Sequence, residues 1–234
     1  MTIPGSAGPV GLVESLPAPS LPERLDRHLR RARRLRLGAP VALTDGAGRW
    51  QPHALTAEGA EPIGDVVDDG GGRPALAVGL CATKGERPAW AIQKLTELGV
   101  GRILIVEADR SVVRWDDGAL AFDRLRRVAV EAVEQSRRVW VPEIDGPVRL
   151  ESLLVAGGVS GGVVLADGAG RPMGPDDADS LILVGPEGGW SDAERAAAEA
   201  AGVPTITVGN GVLRTETAAV AVAAVAAHVQ RAFR

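Results

Sequence analysis

The sequence predicts an α/β fold preceded by a small β-rich domain, and three observations carry that expectation. From residue 76 onward, short apolar runs alternate with segments of helical periodicity, the pattern of a parallel sheet covered by helices. Between Leu181 and Val229 a strand, a glycine-bearing loop and a helix follow one another twice. Before residue 60, short and partly alternating runs are broken by Asp45-Gly46-Ala47-Gly48 and Glu58-Gly59, which suit hairpins of a small β-barrel.

Composition sets the outer limits. The chain has 234 residues, room for one large domain or two smaller ones, and its 45% hydrophobic and 24% charged residues are those of a globular protein rather than a disordered one. The single cysteine, Cys81, excludes an intrachain disulfide and any Cys-rich zinc site, and it fits a reducing cytoplasm. His28, His53 and His228 show no ligand spacing, so no metal is expected. The start, MTIPGSAGPVGLV, lacks the basic region of a signal peptide. The longest apolar run, Ala218–Val229, is interrupted by His228 and falls short of the roughly 20 residues that span a bilayer. A cytoplasmic protein without a membrane segment is expected.

In chain order, the first feature is a run of arginines. Between Glu23 and Leu37 stand Arg24, Arg27, Arg30, Arg31, Arg33, Arg34 and Arg36 against two acids, Glu23 and Asp26. Two readings fit: a solvated helix face, or a patch that contacts phosphates through the planar guanidinium forks. The net charge of −4 does not decide between them, because nucleic-acid binding depends on local patches. After the hairpin region, Gly64–Pro74 is acidic, then glycine-rich, then proline-bearing, and reads as an exposed linker. The domain boundary is placed there, with residues 1–72 in one domain and 73–234 in the other.

The second domain then unfolds as strand Leu76–Ala82, helix Ala89–Leu98 closed by Gly99, and strand Arg102–Val106. A longer helix over Phe122–Arg138 aligns Phe122, Leu125, Ala129 and Val133 on one face; a short helix at Glu151–Ala156 and a strand at Val163–Ala166 follow. Leu181–Val184 is a strand buried on both faces, and it ends at Gly185-Pro186-Glu187-Gly188-Gly189. Ser191 and Glu194 have capping-box spacing and start a helix over 192–201 that ends at Gly202. Strand Thr205–Val208 leads into Gly209-Asn210-Gly211-Val212-Leu213-Arg214-Thr215-Glu216-Thr217, and Ala218–Val229 is apolar all round, as in a helix buried in a core or an interface. Loops beyond the carboxyl ends of parallel strands are where ligands bind. Neither loop matches a phosphate-binding fingerprint, and Glu187 would repel a phosphate.

The pair GPEGGWSDAE and VGNGVLRTETAA resembles the C-terminal motifs of the ribosomal RNA small subunit methyltransferase E family, SPOUT-class enzymes that methylate N3 of a uridine in 16S rRNA. Other blocks are similar in the same order: His28-Leu29 with Arg34-Leu35 and Gly38, Lys84-Gly85-Glu86, Gln93-Lys94 with Glu97-Leu98-Gly99-Val100, and Glu134-Gln135 with Arg138 and Pro142. The chain departs from the family at Ala32 and Arg33, where an apolar pair is usual, and at Gly211, where a basic residue is common. The resemblance implies a PUA-like β-barrel RNA-binding domain followed by a methyltransferase domain whose C-terminal segment forms a trefoil knot. It also implies S-adenosylmethionine as cofactor, a homodimer, and 16S rRNA as substrate, in the assembled small subunit.

On that resemblance, backbone groups of Gly185, Glu187, Gly188, Val208, Gly209 and Leu213 hold the cofactor with Thr215 and Thr217, and Leu165, Val208 and Leu213 supply apolar walls. Arg30, Arg31, Arg33, Arg34 and Gln135 face RNA. Uridine N3 carries a proton that must leave, so Arg214 or Arg138 stabilises charge on the base carbonyls while Glu216 or Glu187 accepts the proton or orients an arginine. Glu216 also suits a plain helix-capping role. The competing functions are a SPOUT methyltransferase acting on another RNA, a non-catalytic RNA-binding protein, and, more distantly, a nucleotide-binding enzyme.

Overall fold

The structure is a computed structural model, and it describes residues 1–232 apart from residues 82, 114–117 and 156–160. Two compact units divide the chain: Met1–Pro74 with Val130–Val141, and Ala75–Ala129 with Pro142–Arg234.

In the first unit β1 (Val10–Leu12) runs parallel to β2 (Pro40–Thr44), and β2 forms an antiparallel hairpin with β3 (Arg49–Leu55). The hairpin turns where the sequence places it, because the Asp45 carboxylate accepts hydrogen bonds from the amides of Ala47 and Arg49, at 2.8 and 3.1 Å. Strands β4 (Ala60–Pro62) and β5 (Val67–Asp68) both pair with β3. The arginine run forms α1 (Glu23–Arg27) and a wider π-type turn over His28–Ala32. Leu25 and Leu29, four residues apart, enter a core with Val13, Leu16, Val41, Leu43 and Leu55, which leaves Arg24, Arg27, Arg31, Arg33, Arg34 and Arg36 exposed.

One expectation needs correction here. The stretch Gly64–Pro74 is more than a linker, since Val67–Asp68 adds a strand to the sheet. Asp69 then accepts from the Trp140 indole at 2.8 Å and pairs with the N-terminal ammonium at 2.9 Å. The leading segment of the first unit ends at Pro74, beside the expected boundary near residue 73, and Val130–Val141 is grouped with that unit. There Arg24 pairs with Glu134 at 2.8 Å, Arg137 binds the carbonyls of Ile3 and Pro4, and Val139 is buried with Ile3, Val10 and Trp50.

The second unit is built on six strands in the order β11-β9-β10-β6-β7-β8, every pair parallel. In chain order it comprises β6 (Ala77–Cys81), α2 (Arg87–Leu98), β7 (Arg102–Glu107), α3 (Gly118–Ser136), β8 (Glu143–Arg149), α4 (Leu150–Val155), β9 (Val163–Pro172), β10 (Leu181–Val184), α5 (Asp192–Ala200), β11 (Thr205–Thr207) and α6 (Thr215–Ala232). The last residues of α3 count with the first unit. Strands β10 and β6 lie in the middle of the sheet and are buried along their whole length, which is why both read as unbroken apolar runs. Helix α3 stops at Ser136, short of the expected Arg138, because Arg137 turns into the left-handed region at φ 61°. The short helix expected at Glu151–Ala156 is α4, and Ala156 lies outside the described residues.

Strand β9 is longer than expected, and its pairing with β11 jumps from Leu165 to Arg171, so the residues between form an arch. Gly170 closes that arch against β11, where a Cβ would come within 2.5 Å of the Ile206 backbone. Helix α5 starts with the predicted capping box: Ser191 Oγ accepts from the Glu194 amide at 3.1 Å, and Glu194 accepts from the Ser191 amide at 2.7 Å. The chain next runs to the sheet edge as β11 and then returns, so that α6 packs on α2, β6 and β10. Among the described residues, one face of α6 is covered, through Ala219, Val222, Ala223 and Ala226. Ala224 is exposed, and Val220, Ala221, Val225 and Ala227 are half-buried.

Candidate active site

Because every strand of the second unit points the same way, the loops after β6, β7, β10 and β11 gather at one edge of the sheet. The loop after β10, Gly185–Trp190, is fastened from three directions. Trp190 is 1% exposed and donates its indole N–H to the Ala166 carbonyl in the β9 arch at 3.0 Å. Its ring lies 3.0 Å from where a Gly185 Cβ would stand, so that glycine is required for close approach. From the loop after β7, Arg110 donates to the carbonyls of Gly188 and Trp190 at 3.0 and 3.2 Å. Glu194 reaches past its own cap to accept from the Asp109 amide at 2.8 Å, and Ser191 donates to the Asp109 carboxylate at 2.6 Å.

The loop after β11 is joined to this one by a buried bond, Thr215 Oγ1 donating to the Gly185 carbonyl at 2.9 Å. The two glycine loops therefore form one rim. Among the described residues, nothing lies within 4 Å of the Cβ positions of Gly209 and Gly211, so backbone is open to a ligand there, and Val212 and Leu213 expose apolar side chains beside it. Glu216, in the first turn of α6, is 8% exposed; its Oε2 has no partner among the described residues, and its Oε1 lies 3.7 Å from Arg87 Nε. Arg87 also pairs with Glu187 at 3.2 Å. One guanidinium thus bridges the first turns of α2 and α6 and the glycine loop.

The sequence-predicted residues fall into groups. Gly185, Glu187, Gly188, Val208, Gly209, Leu213, Arg214, Thr215, Glu216 and Thr217 share this rim, with Arg214 and Thr217 exposed. Leu165 is 1% exposed and sits in the core with Cys81, Leu183 and Trp190. Arg138 and Gln135 belong to the first unit with the arginine run. There Arg30 is engaged, bonding Asp26 at 2.6 Å and the Thr56 carbonyl at 2.7 Å, while Arg33 donates to His28 Nε2 at 3.3 Å.

Sequence reasoning missed Arg87, Arg110 and the link from Glu194 to Asp109. Arg87 did leave a signal: a cation in the first turn of a helix opposes the helix dipole and calls for carboxylate partners. Among the described residues no three His, Cys, Asp or Glu side chains gather to hold a metal, and no helix is long and apolar enough to cross a membrane.

A parallel sheet with two joined glycine loops at its carboxyl edge defines a ligand-binding α/β domain, and comparison with known proteins narrows its class: residues 73–227 match the family model of the RNA methyltransferase domain. A ribosomal RNA small subunit methyltransferase E from Mycobacterium bovis is 34% identical over 207 residues, covering 82% of this chain and 79% of the relative. The chain belongs to the ribosomal RNA small subunit methyltransferase E family. Among solved structures, the member from Neisseria gonorrhoeae bound to S-adenosyl methionine aligns with a TM-score of 0.76 at 28% identity, over 93% of this chain and 95% of that one. A probable rRNA-methyltransferase from Porphyromonas gingivalis aligns at 0.80 with 25% identity, over 97% of this chain and all of that one.

Proposed function

We propose that the protein transfers the methyl group of S-adenosylmethionine to N3 of a uridine in the 16S rRNA of the small ribosomal subunit. Methylation of small-subunit ribosomal RNA follows from family membership. The observation that carries the site is the Thr215–Gly185 bond, which makes one rim of two loops and sets Arg214 and Glu216 on either side of a buried anchor. The rim suits the cofactor: open backbone at Gly209 and Gly211, Gly188 beside Glu187, and exposed apolar Leu213 and Val212. Bound there, the cofactor supplies an electrophilic methyl group on a sulfonium.

This chain's own residues then have three tasks. The loops hold donor and acceptor in line. Arg214, exposed at the rim, stabilises negative charge developing on the uracil carbonyls. Glu216, whose Oε2 is buried without a partner among the described residues, accepts the N3 proton or orients Arg214, and Arg138 remains the alternative group for stabilising charge on the base. Thr217 and Val208 complete the cofactor contacts, with Leu165 supporting them from the core. Arg31, Arg33 and Arg34, with Gln135 and the partly engaged Arg30, contact RNA phosphates.

The same reading takes the five-stranded first unit as PUA-like and the return of α6 behind β10 as a trefoil knot, a topology so rare that family membership is its main support. It takes the uncovered apolar face of α6 as a homodimer surface, and the assembled subunit, in the cytoplasm, as the substrate. The test is incubation with methyl-labelled S-adenosylmethionine and small subunits lacking the modification, followed by digestion of the rRNA. Label in 3-methyluridine is expected. Label in another nucleoside moves the target, and RNA binding with no label rejects the enzyme.

A further inference from the structure

A cleft of about 310 Å³ opens beside the rim, lined by the loop after β6, the first turn of α2 and one face of α3. Its floor holds an anomaly. Thr83 is 3% exposed, yet its hydroxyl has no hydrogen-bond partner among the described residues. A buried hydroxyl left unsatisfied is costly, and such groups are found where a ligand completes them. The walls are apolar, from Pro88, Ala89, Val113 and Leu125, and the exposed Lys84 stands at the mouth. Arg124 lies at the mouth too, but its guanidinium is engaged by Glu86.

The cleft shares a wall with the rim. Arg87, which holds Glu187 and Glu216, is followed in the chain by Pro88 and Ala89 and stands two residues after Gly85, and these three line the cleft. A volume at the lower end of small-ligand pockets, roughly 300–1,000 Å³, suits one nucleotide and excludes a stacked pair. Apolar walls suit the faces of a base, a lone hydroxyl suits its polar edge as donor or acceptor, and an ammonium at the mouth suits its phosphate.

From this geometry we infer that the Thr83 cleft is the acceptor-side subsite, taking a single unstacked pyrimidine nucleotide of the RNA with its base on Thr83 and its phosphate at Lys84. The inference rests on the methyltransferase reading. A base withdrawn from its stack is the form in which nucleobase-modifying enzymes reach their target atom, and here it would be held next to the donor loops.

The experiment compares wild type, Thr83→Val and Lys84→Ala in methyl transfer to unmodified small subunits at varied RNA concentration, with calorimetric titration of S-adenosylmethionine on each protein. Thr83→Val keeps the shape of the side chain and removes its hydroxyl; Lys84→Ala changes an exposed residue, so its folding is not in question. The expected result is a loss of roughly tenfold in kcat/KM for RNA in each variant, the size of one hydrogen bond or one phosphate contact, with cofactor affinity held within about twofold. Unchanged kcat/KM for RNA in both variants overturns the subsite while wild-type activity keeps the methyltransferase reading. Cofactor affinity falling in step with activity overturns it as well, because the cleft would then belong to the donor. A wild-type protein that methylates no RNA removes the reading and the subsite together.

Discussion

At the level of single residues, position and exposure separate groups that look alike in the sequence. Glu187 and Glu216 are both carboxylates beside Arg87, but Glu216 is buried with one oxygen unpartnered among the described residues, whereas Glu187 is exposed in the loop. Replacing Arg214 with alanine is expected to lower turnover by about a hundredfold while changing cofactor affinity only a few-fold, the pattern of a group that acts on transition-state charge. Single-turnover rates beside cofactor titrations check this, and unchanged turnover rejects the role. Cys81 behaves differently. Burial pushes its thiol up to about 12, opposed by a hydrogen bond with Ser111 and assisted to a lesser degree by the charges of Glu194 and Glu187. An unfolded thiol deprotonates near ~8.5, so the native state retains a proton that the unfolded state loses. The stabilising contribution is complete below ~8.5 and declines as pH rises toward the native value. Iodoacetamide at pH 9 is therefore expected to leave native Cys81 unmodified and to alkylate it readily in denaturant, with mass spectrometry as the readout.

For whole elements, legibility followed local physics. The capping box at Ser191 and Glu194, the Asp45 turn and the central apolar strand β10 were readable because each is fixed by residues adjacent in sequence. The arch in β9 was not, since Gly170 is required by a backbone that arrives from Ile206. Nor was the strand at Val67–Asp68, where aspartates and glycines look like a linker until β3 and Trp140 supply the partners. The candidate site shows the same split: its loops are contiguous motifs, but Arg87 reaches it from the first turn of α2 and Arg110 from the loop after β7, and Arg110 carries no local pattern. Ser191→Ala is expected to cost about 1 kcal/mol, as loss of an N-cap does, and also to loosen Asp109, which shares the cap. Chemical denaturation measures the first effect and amide exchange at Asp109 the second. In the β9 segment the Arg171 guanidinium bonds Asp177 through two 2.7 Å contacts and holds that carboxyl below the usual carboxylate range. This stabilisation is in place above the ordinary value of ~3.9 and is lost as pH falls through the depressed one. Asp177→Asn is thus expected to lower the melting temperature at pH 6 and to flatten its decline below pH 4.

Across the whole chain, two compact units are present, and the segment Val130–Val141 from the middle of the chain is grouped with the first. If α6 offers its uncovered face to a second copy, light scattering at micromolar concentration is expected to give twice the 24.2 kDa chain mass. Charged substitution at Ala224, which is exposed, should return the protein to a single-chain mass without unfolding it. A monomer mass at every concentration rejects the dimer.

The position of β10 between β6 and β9 has a consequence for synthesis. Leu181 pairs with Ala77, so when β6 leaves the ribosome its central partner is about a hundred residues from being translated. At ~5–20 residues per second the apolar edge of β6 waits some ~5–20 s with unpaired backbone groups, the condition under which edge strands recruit one another. The strand that anchors the glycine loop is also the one whose late arrival makes the nascent chain prone to aggregation.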